Sequence, residues 1–466
     1  MSSKASDRLF HIARWTGQIP QSILALYALE SRAFSIRPFV TLLAVLLATL
    51  VLAGRSAPDG QQVRLQTIAV VVAGREFSLV GWEWRALGEK IGAWVRQTGA
   101  GMDVEQERAS VYGYFDGVKE VRRLEDQVNQ LVSRNSQGAF DGRLRQVRSQ
   151  LARLRSQQQQ RRPLVEAIIQ RQVAEILSEA GMGLAGTPTP PVNFTFTDPP
   201  QTLVVSPRQE IRTIFTQMLT PDIDSVEAGQ DEAKIAAQTN LSAYITRIGG
   251  LGAYPTMVID RGSLPWIFST VAHEWVHNYL TFFPLGMRYG SSPEITTLNE
   301  TVADLVGHEV GRRVLLRFYP ELVPPQEDKP DRRQGADAAK QDPDQPPPFD
   351  FDREMRITRL QVDDLLADGL YKTAEVYMEA RRRFFVAHGY HLRVLNQAYF
   401  AFHGSYATGG ASSSPIGPQL EELQRLKTPE DIAGFLRTVR WFTSRADLER
   451  ALCGLQKGKC AVRNRP

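Results

Sequence analysis

The chain has 466 residues, 42% hydrophobic and 23% charged, which is enough length and apolar content for roughly two or three domains with sizeable cores. That composition excludes a wholly disordered chain, a collagen-like repeat and a polytopic membrane protein. Lys and Arg number 55 against 51 Asp and Glu, a net +4 that gives no basic face for nucleic acid; the two cysteines, Cys453 and Cys460, are too few for a disulfide scaffold or a four-thiolate zinc site.

Residues 38–54 carry no charge and are flanked by Arg37 and Arg55. As a helix they would reach about 26 Å, near the lower limit for crossing a bilayer. An uncleaved single-pass transmembrane anchor is favoured over a signal-peptide core, because the arm of residues 1–37 is unusually long for a leader. Its five basic residues, Lys4, Arg8, Arg14, Arg32 and Arg37, tip the expected orientation towards an extracytoplasmic bulk.

Residues 67–73 are rich in β-branched side chains and read as a strand, whereas Trp84, Leu87, Ile91 and Trp94 fall at helical spacing within 82–95. Val121, Leu124, Val128 and Leu131, and then Leu144, Val147, Leu151 and Leu154, repeat at 3-4-3 spacing on either side of a polar break. This predicts a helical hairpin or short coiled coil within a membrane-proximal region, 55–182. Two heptads per arm favour a solvated helix pair, with self-association through the hairpin left open.

Residues 190–208 and 241–259 combine alternation with prolines and glycines and predict strands of a small antiparallel sheet. Residues 324–348 are Pro-, Asp-, Gln- and Lys-rich and read as a disordered insertion. It separates a core, 183–323, from a helical C-terminal subdomain, 349–466. The expected class is therefore mostly α, in the α+β sense.

His273-Glu274-Trp275-Val276-His277 is an H-E-x-x-H sequence inside an apolar helical pattern, with Ser263 as N-cap and Pro265 in the first turn. Residues four apart share a helical face, so both imidazoles can address one ion with Glu274 beside them. A second helix, started by Ser292-Pro293-Glu294, carries Asn299, Glu300 and Asp304. Glu300 can supply a third ligand, while Asp304 accepts the remaining N–H of a ligand histidine. His308, one turn further, is expected in a supporting contact or buried.

His273-Glu274-x-x-His277 followed by Asn299-Glu300-x-x-x-Asp304 resembles the gluzincin zinc metallopeptidases, in particular their thermolysin-like members, over about 32 of the 466 residues. The resemblance implies a zincin-like catalytic core with Zn2+ held by His273, His277 and Glu300. Glu274 would be the general base, and Asn299 and Asp304 would support the ligands. It also implies an edge strand upstream that holds an extended peptide, placed here at Gly250, Gly252, Ala253 and Tyr254. For the transition-state donor, which the family takes from a later helical segment, the choice is Tyr406, where Gly404-Ser405 ends a helix; His403 is the runner-up. The Gly-Ala-Met-Glu-Asn sequence of zinc aminopeptidases is absent, so an endopeptidase acting on peptides or proteins is favoured over an aminopeptidase. An inert membrane-anchored scaffold is the competing reading.

Overall fold

The computed structural model describes residues 60–95, 101–134, 141–184, 186–323, 349–427 and 431–456. The uncharged run 38–54, the insertion 324–348 and Cys460 lie outside these residues. Among the described residues no helix is long and apolar enough to cross a membrane. The chain divides into two units, Met1–Gln66, of which only the first turns of a helix are described, and Thr67–Pro466.

In chain order come helices α1 (Gly60–Val71), α2 (Leu79–Val95), α3 (Val104–Arg134) and α4 (Asp141–Glu179), followed by strands β1 (Gly183–Leu184), β2 (Thr187–Pro188), β3 (Phe194–Phe196), β4 (Gln201–Pro207) and β5 (Phe215–Leu219). Helix α5 (Ser225–Thr239) leads into β6 (Leu241–Arg247), β7 (Gly250–Leu251) and β8 (Thr256–Val258). Helices α6 (Leu264–Leu280), α7 (Pro284–Met287) and α8 (Pro293–Phe318) precede a helical end: α9 (Phe351–Ala367), α10 (Tyr371–Ala387), α11 (Gln397–His403), α12 (Ile416–Leu426), α13 (Ile432–Val439) and α14 (Arg445–Leu455). The protein is thus mostly helical with small sheets, as its sequence pattern leads one to expect.

The strand expected at 67–73 is instead the end of α1, to Val71, and the turn that follows it. A strand would put Ile68, Val70 and Val72 on one face, yet Val70 is 75% exposed while Ile68 and Val72 are fully buried. Burial at a spacing of four is helical, and packing of that face overrides the β-branched preference. In contrast, α3 and α4 form the expected hairpin. Arg171 pairs with Glu107, Gln158 Nε2 donates to the Tyr114 carbonyl at 2.9 Å, and Arg155 meets Glu125 at 2.8 Å, an antiparallel register. Leu124, Val147 and Leu151 fill the seam, so the hairpin satisfies its own stripe.

Sheet β5-β4-β6 is antiparallel, with Val204 opposite Thr216 on one side and Tyr244 on the other. The second sheet, β3-β8-β7, departs from expectation because β3 and β8 run parallel. The main core joins Phe268, Trp275 and Val276 of α6 to Leu298, Val302, Val306 and Val310 of α8, and to Leu420 and Phe435 of the C-terminal helices. The base of the hairpin, including Tyr114 and Ile169, belongs to the same core. At roughly 1.5–3 kcal/mol for each large apolar side chain buried, this set fixes α6 against α8 before any polar contact is considered.

Candidate metal centre

Helix α6 starts where Ser263 accepts the Trp266 N–H, with Pro265 in the first turn, and α8 starts where Ser292 accepts the Ile295 N–H at 3.2 Å. Both caps are those expected from the sequence. What brings the helices unusually close is a seam of glycines on α8. A Cβ on Gly307 would lie 2.7 Å from the Ser269 carbonyl oxygen and 3.0 Å from the His273 Cβ; one on Gly311 would lie 2.9 Å from the Ser269 nitrogen. Glu300, Asp304, Gly307 and Gly311 share one face of α8, so this close approach delivers the two carboxylates to His273.

His273 Nε2 stands 3.0 Å from His277 Nε2 and 3.5 Å from Glu300 Oε2, and His277 Nε2 stands 3.6 Å from the same oxygen. Atoms about 2.0–2.2 Å from a common tetrahedral zinc stand roughly 3.3–3.5 Å apart, so the three fit one ion. These three residues form the one possible metal-holding group among the described residues.

The outer contacts set the chemistry of the inner atoms. Asn299 Nδ2 donates to the Leu285 carbonyl at 3.2 Å, which turns its Oδ1 towards His277 Nδ1 at 2.8 Å. Asp304 Oδ1 lies 3.2 Å from His273 Nδ1. Each Nδ1 faces an acceptor and so carries a proton, and once any second proton is displaced each imidazole turns a lone pair at Nε2 towards Glu300. Glu300 Oε2 is itself buried and has no hydrogen-bond partner. Two lone pairs and a carboxylate oxygen facing one another are unfavourable unless a positive charge, a proton or a metal ion, lies among them, and the donor set of two nitrogens and one oxygen suits zinc.

The electrostatics agree. Burial of His273 opposes its charge, but Asp304 and Glu300 outweigh it and push the imidazolium pKa up to about 10. Burial also works against ionisation of Glu300, yet the two imidazoles hold its carboxyl well below the usual range. The site draws positive charge. Glu274, 7% exposed, behaves oppositely: burial raises its pKa against the pull of the two histidines.

Around these groups lies a cleft of about 1270 Å³. Thr202 and Val204 of β4 and Thr216 and Met218 of β5 form one wall; the chain from Phe400 to Tyr406 forms another. Strand β7 is the open edge of its sheet and lines the cleft at Gly249 through Gly252. Its glycines are dictated by Glu274. A Cβ on Gly250 would stand 2.4 Å from Glu274 Oε1, and one on Gly252 would stand 3.2 Å from His277 Cβ. Gly250 and Gly252 therefore sit where expected.

Ala253 and Tyr254, expected at this edge, do not line the cleft. Ala253 is buried; its N–H bonds the Leu251 carbonyl, and its own carbonyl accepts from Asn278. The Tyr254 hydroxyl turns away to the Pro191 carbonyl. His308 is exposed, bonded through Nδ1 to the Asp304 carbonyl of its own helix, and neither buried nor in contact with a ligand.

Tyr406 does line the cleft, its ring centred 6.3 Å from that of His273. Burial, reinforced by Glu300, pushes its phenol pKa well above the ordinary value, so it is a neutral donor. His403 also faces the cleft, but it contacts the Tyr244 hydroxyl at 3.2 Å and burial lowers its pKa to about 4.

Tyr289 is the residue that sequence reasoning missed. Its hydroxyl donates to Glu300 Oε1 at 2.5 Å, which aims Oε2 at the two imidazoles. The one local sign of it is an aromatic residue just ahead of Gly290-Ser291-Ser292 at the entry to α8, and its partner Glu300 emerges only from the way that segment folds back over the helix. Tyr289→Phe removes one hydroxyl from a side chain that is 51% exposed, so the fold should be unaffected. Zinc affinity should fall about 10–100-fold, as for other outer contacts to metal ligands; titration against a competing chelator measures it, and an unchanged affinity would remove Tyr289 from the site.

No protein-family model, curated protein or solved structure matches the chain.

Proposed function

We propose that the chain is a zinc-dependent peptidase that cleaves bonds within extended peptides. The observation that carries this reading is the buried, unpartnered Glu300 Oε2 facing the Nε2 atoms of His273 and His277. These three would hold the ion. When bound, zinc supplies a water of lowered pKa and polarises a carbonyl oxygen.

Every other part is the work of this chain. Asp304 and Asn299 fix the imidazole tautomers. Glu274, pressed between Gly250 and the ligand histidines, takes a proton from the attacking water and hands it to the leaving amine; its raised pKa brings it closer to the operating range of such a base. Tyr406 offers a neutral hydroxyl to the carbonyl oxygen as charge develops there. Along β7, alternation turns the N–H and C=O of Gly250 to the open edge, where an extended peptide can add as a strand. This edge favours substrates that can unfold locally over compact ones.

The test combines elemental analysis with digestion of casein. One zinc per chain and cleavage abolished by a chelator, then restored by zinc, are expected; a chain that holds no zinc under any condition would end the reading.

A further inference from the structure

Strand β7 is the edge to which a peptide would add, yet it is two residues long and has β8 as its one neighbour. Two residue pairs, Gly250 with Val258 and Leu251 with Met257, give it little hold of its own. Helix α6 supplies the rest. Its Trp266, Glu274, His277 and Asn278 meet the chain in sequence order, at Gly249, Gly250, Gly252 and Ala253. The fastening is at the two ends. At the first, the Trp266 indole lies between two glycines: a Cβ on Gly249 would stand 2.8 Å from its Cη2, and one on Gly262 would stand 2.8 Å from its Cζ3. At the other, Asn278 Nδ2 donates to the Ala253 carbonyl at 3.1 Å and to Thr256 Oγ1 at 3.0 Å, on either side of the turn into β8. Neither Trp266 nor Asn278 lines the cleft, so they can act on a substrate only through β7.

We infer that Trp266 and Asn278 are positioning residues that fix β7 along α6, and so set the register at which a bound peptide passes Glu274 and the metal ligands. The inference rests on the peptidase reading. Positions 266, 274 and 278 are eight and four apart, so they follow one side of the helix, and β7 runs beside that side in the same direction. The same helix bears His273 and His277. One rigid element thus carries two metal ligands and both supports of the edge strand, and a peptide paired to Gly250 inherits the spacing between them.

The test uses the full zinc-loaded chain with two substrates, a long fluorescence-quenched peptide and a blocked dipeptide too short to span β7. For the long peptide, KM should rise about fivefold in Asn278→Ala, the worth of one net hydrogen bond, while kcat changes by less than about twofold, the pattern of lost uniform binding. The dipeptide should be cleaved as by the parent, and zinc affinity should be kept. Trp266→Ala should behave likewise, and Trp266→Phe, which keeps a ring between the two glycines, should return KM towards that of the parent; if Trp266→Ala does not fold, Asn278→Ala decides alone. In the metal-free chain, exchange of the Ile259 amide, which donates to the Gly249 carbonyl, should quicken in both alanine variants. An unchanged KM for the long peptide overturns the inference, as does an equal loss on both substrates. If the parent binds zinc yet cleaves neither substrate, the peptidase reading fails by itself; the exchange measurement, which needs neither metal nor substrate, still decides whether the two residues hold β7.

Discussion

Glu274→Gln should lower peptide hydrolysis by at least about a hundredfold while leaving one zinc per chain, because the amide keeps the shape of the side chain and cannot accept the proton. Stability gives a second readout with a definite sign. Burial raises the Glu274 carboxyl above its unfolded value, so at pH above that unfolded value this group destabilises the folded metal-free protein. A neutral amide relieves that cost, and metal-free Glu274→Gln should melt no lower than the parent. Loss of activity together with an unchanged or higher Tm assigns the effect to chemistry. A lower Tm would mean that Glu274 holds the fold, and retained activity would dismiss it as the base.

The second large effect is on metal content. His273→Ala or His277→Ala removes one of three ligands, and zinc measured after gel filtration should fall from one per chain to less than about a tenth. A ligand at a thousand times its Kd stabilises the folded state by about 4 kcal/mol, so added zinc should raise the Tm of the parent clearly and that of either variant little. His308→Ala is the control. It carries the same residue change on the helix that bears Glu300, but its imidazole is exposed and bonded to its own backbone, so both zinc content and thermal response should be kept. If His308→Ala loses zinc as the ligand variants do, the assignment of ligands is mistaken.

The candidate centre was largely legible in the sequence because its rules are local. A spacing of four puts His273 above His277 and Glu300 above Asp304, and a capping serine with an early proline starts each helix. Asp304 followed from the need of a ligand imidazole for an acceptor at Nδ1, and Asn299 from the motif resemblance alone. What could not be read depends on partners distant in the chain. Tyr289 reaches Glu300 only because α7 and the turn after it fold back, and Gly250 looked like a concession to substrate when it is a concession to Glu274. Residues 67–73 failed for the same reason. Their preference is extended, but the buried pair Ile68 and Val72 is set by tertiary packing. The pairing of β3 with β8 in parallel joins segments some sixty residues apart, which no local pattern encodes.

The glycine seam between α6 and α8 has a mechanical corollary. Where α8 meets Ser269 and His273 of α6 through Gly307 and Gly311, with no α8 side chain between, neither helix can slide or tilt without collision. His273, His277 and Glu300 are thus clamped like the jaws of a fixed gauge, and their spacing is indifferent to what occupies the space above. Any breathing that admits or ejects a long molecule falls to the opposite wall, the sheet and the Phe400 to Tyr406 chain, and enlarging either glycine would loosen the gauge before it altered the gate.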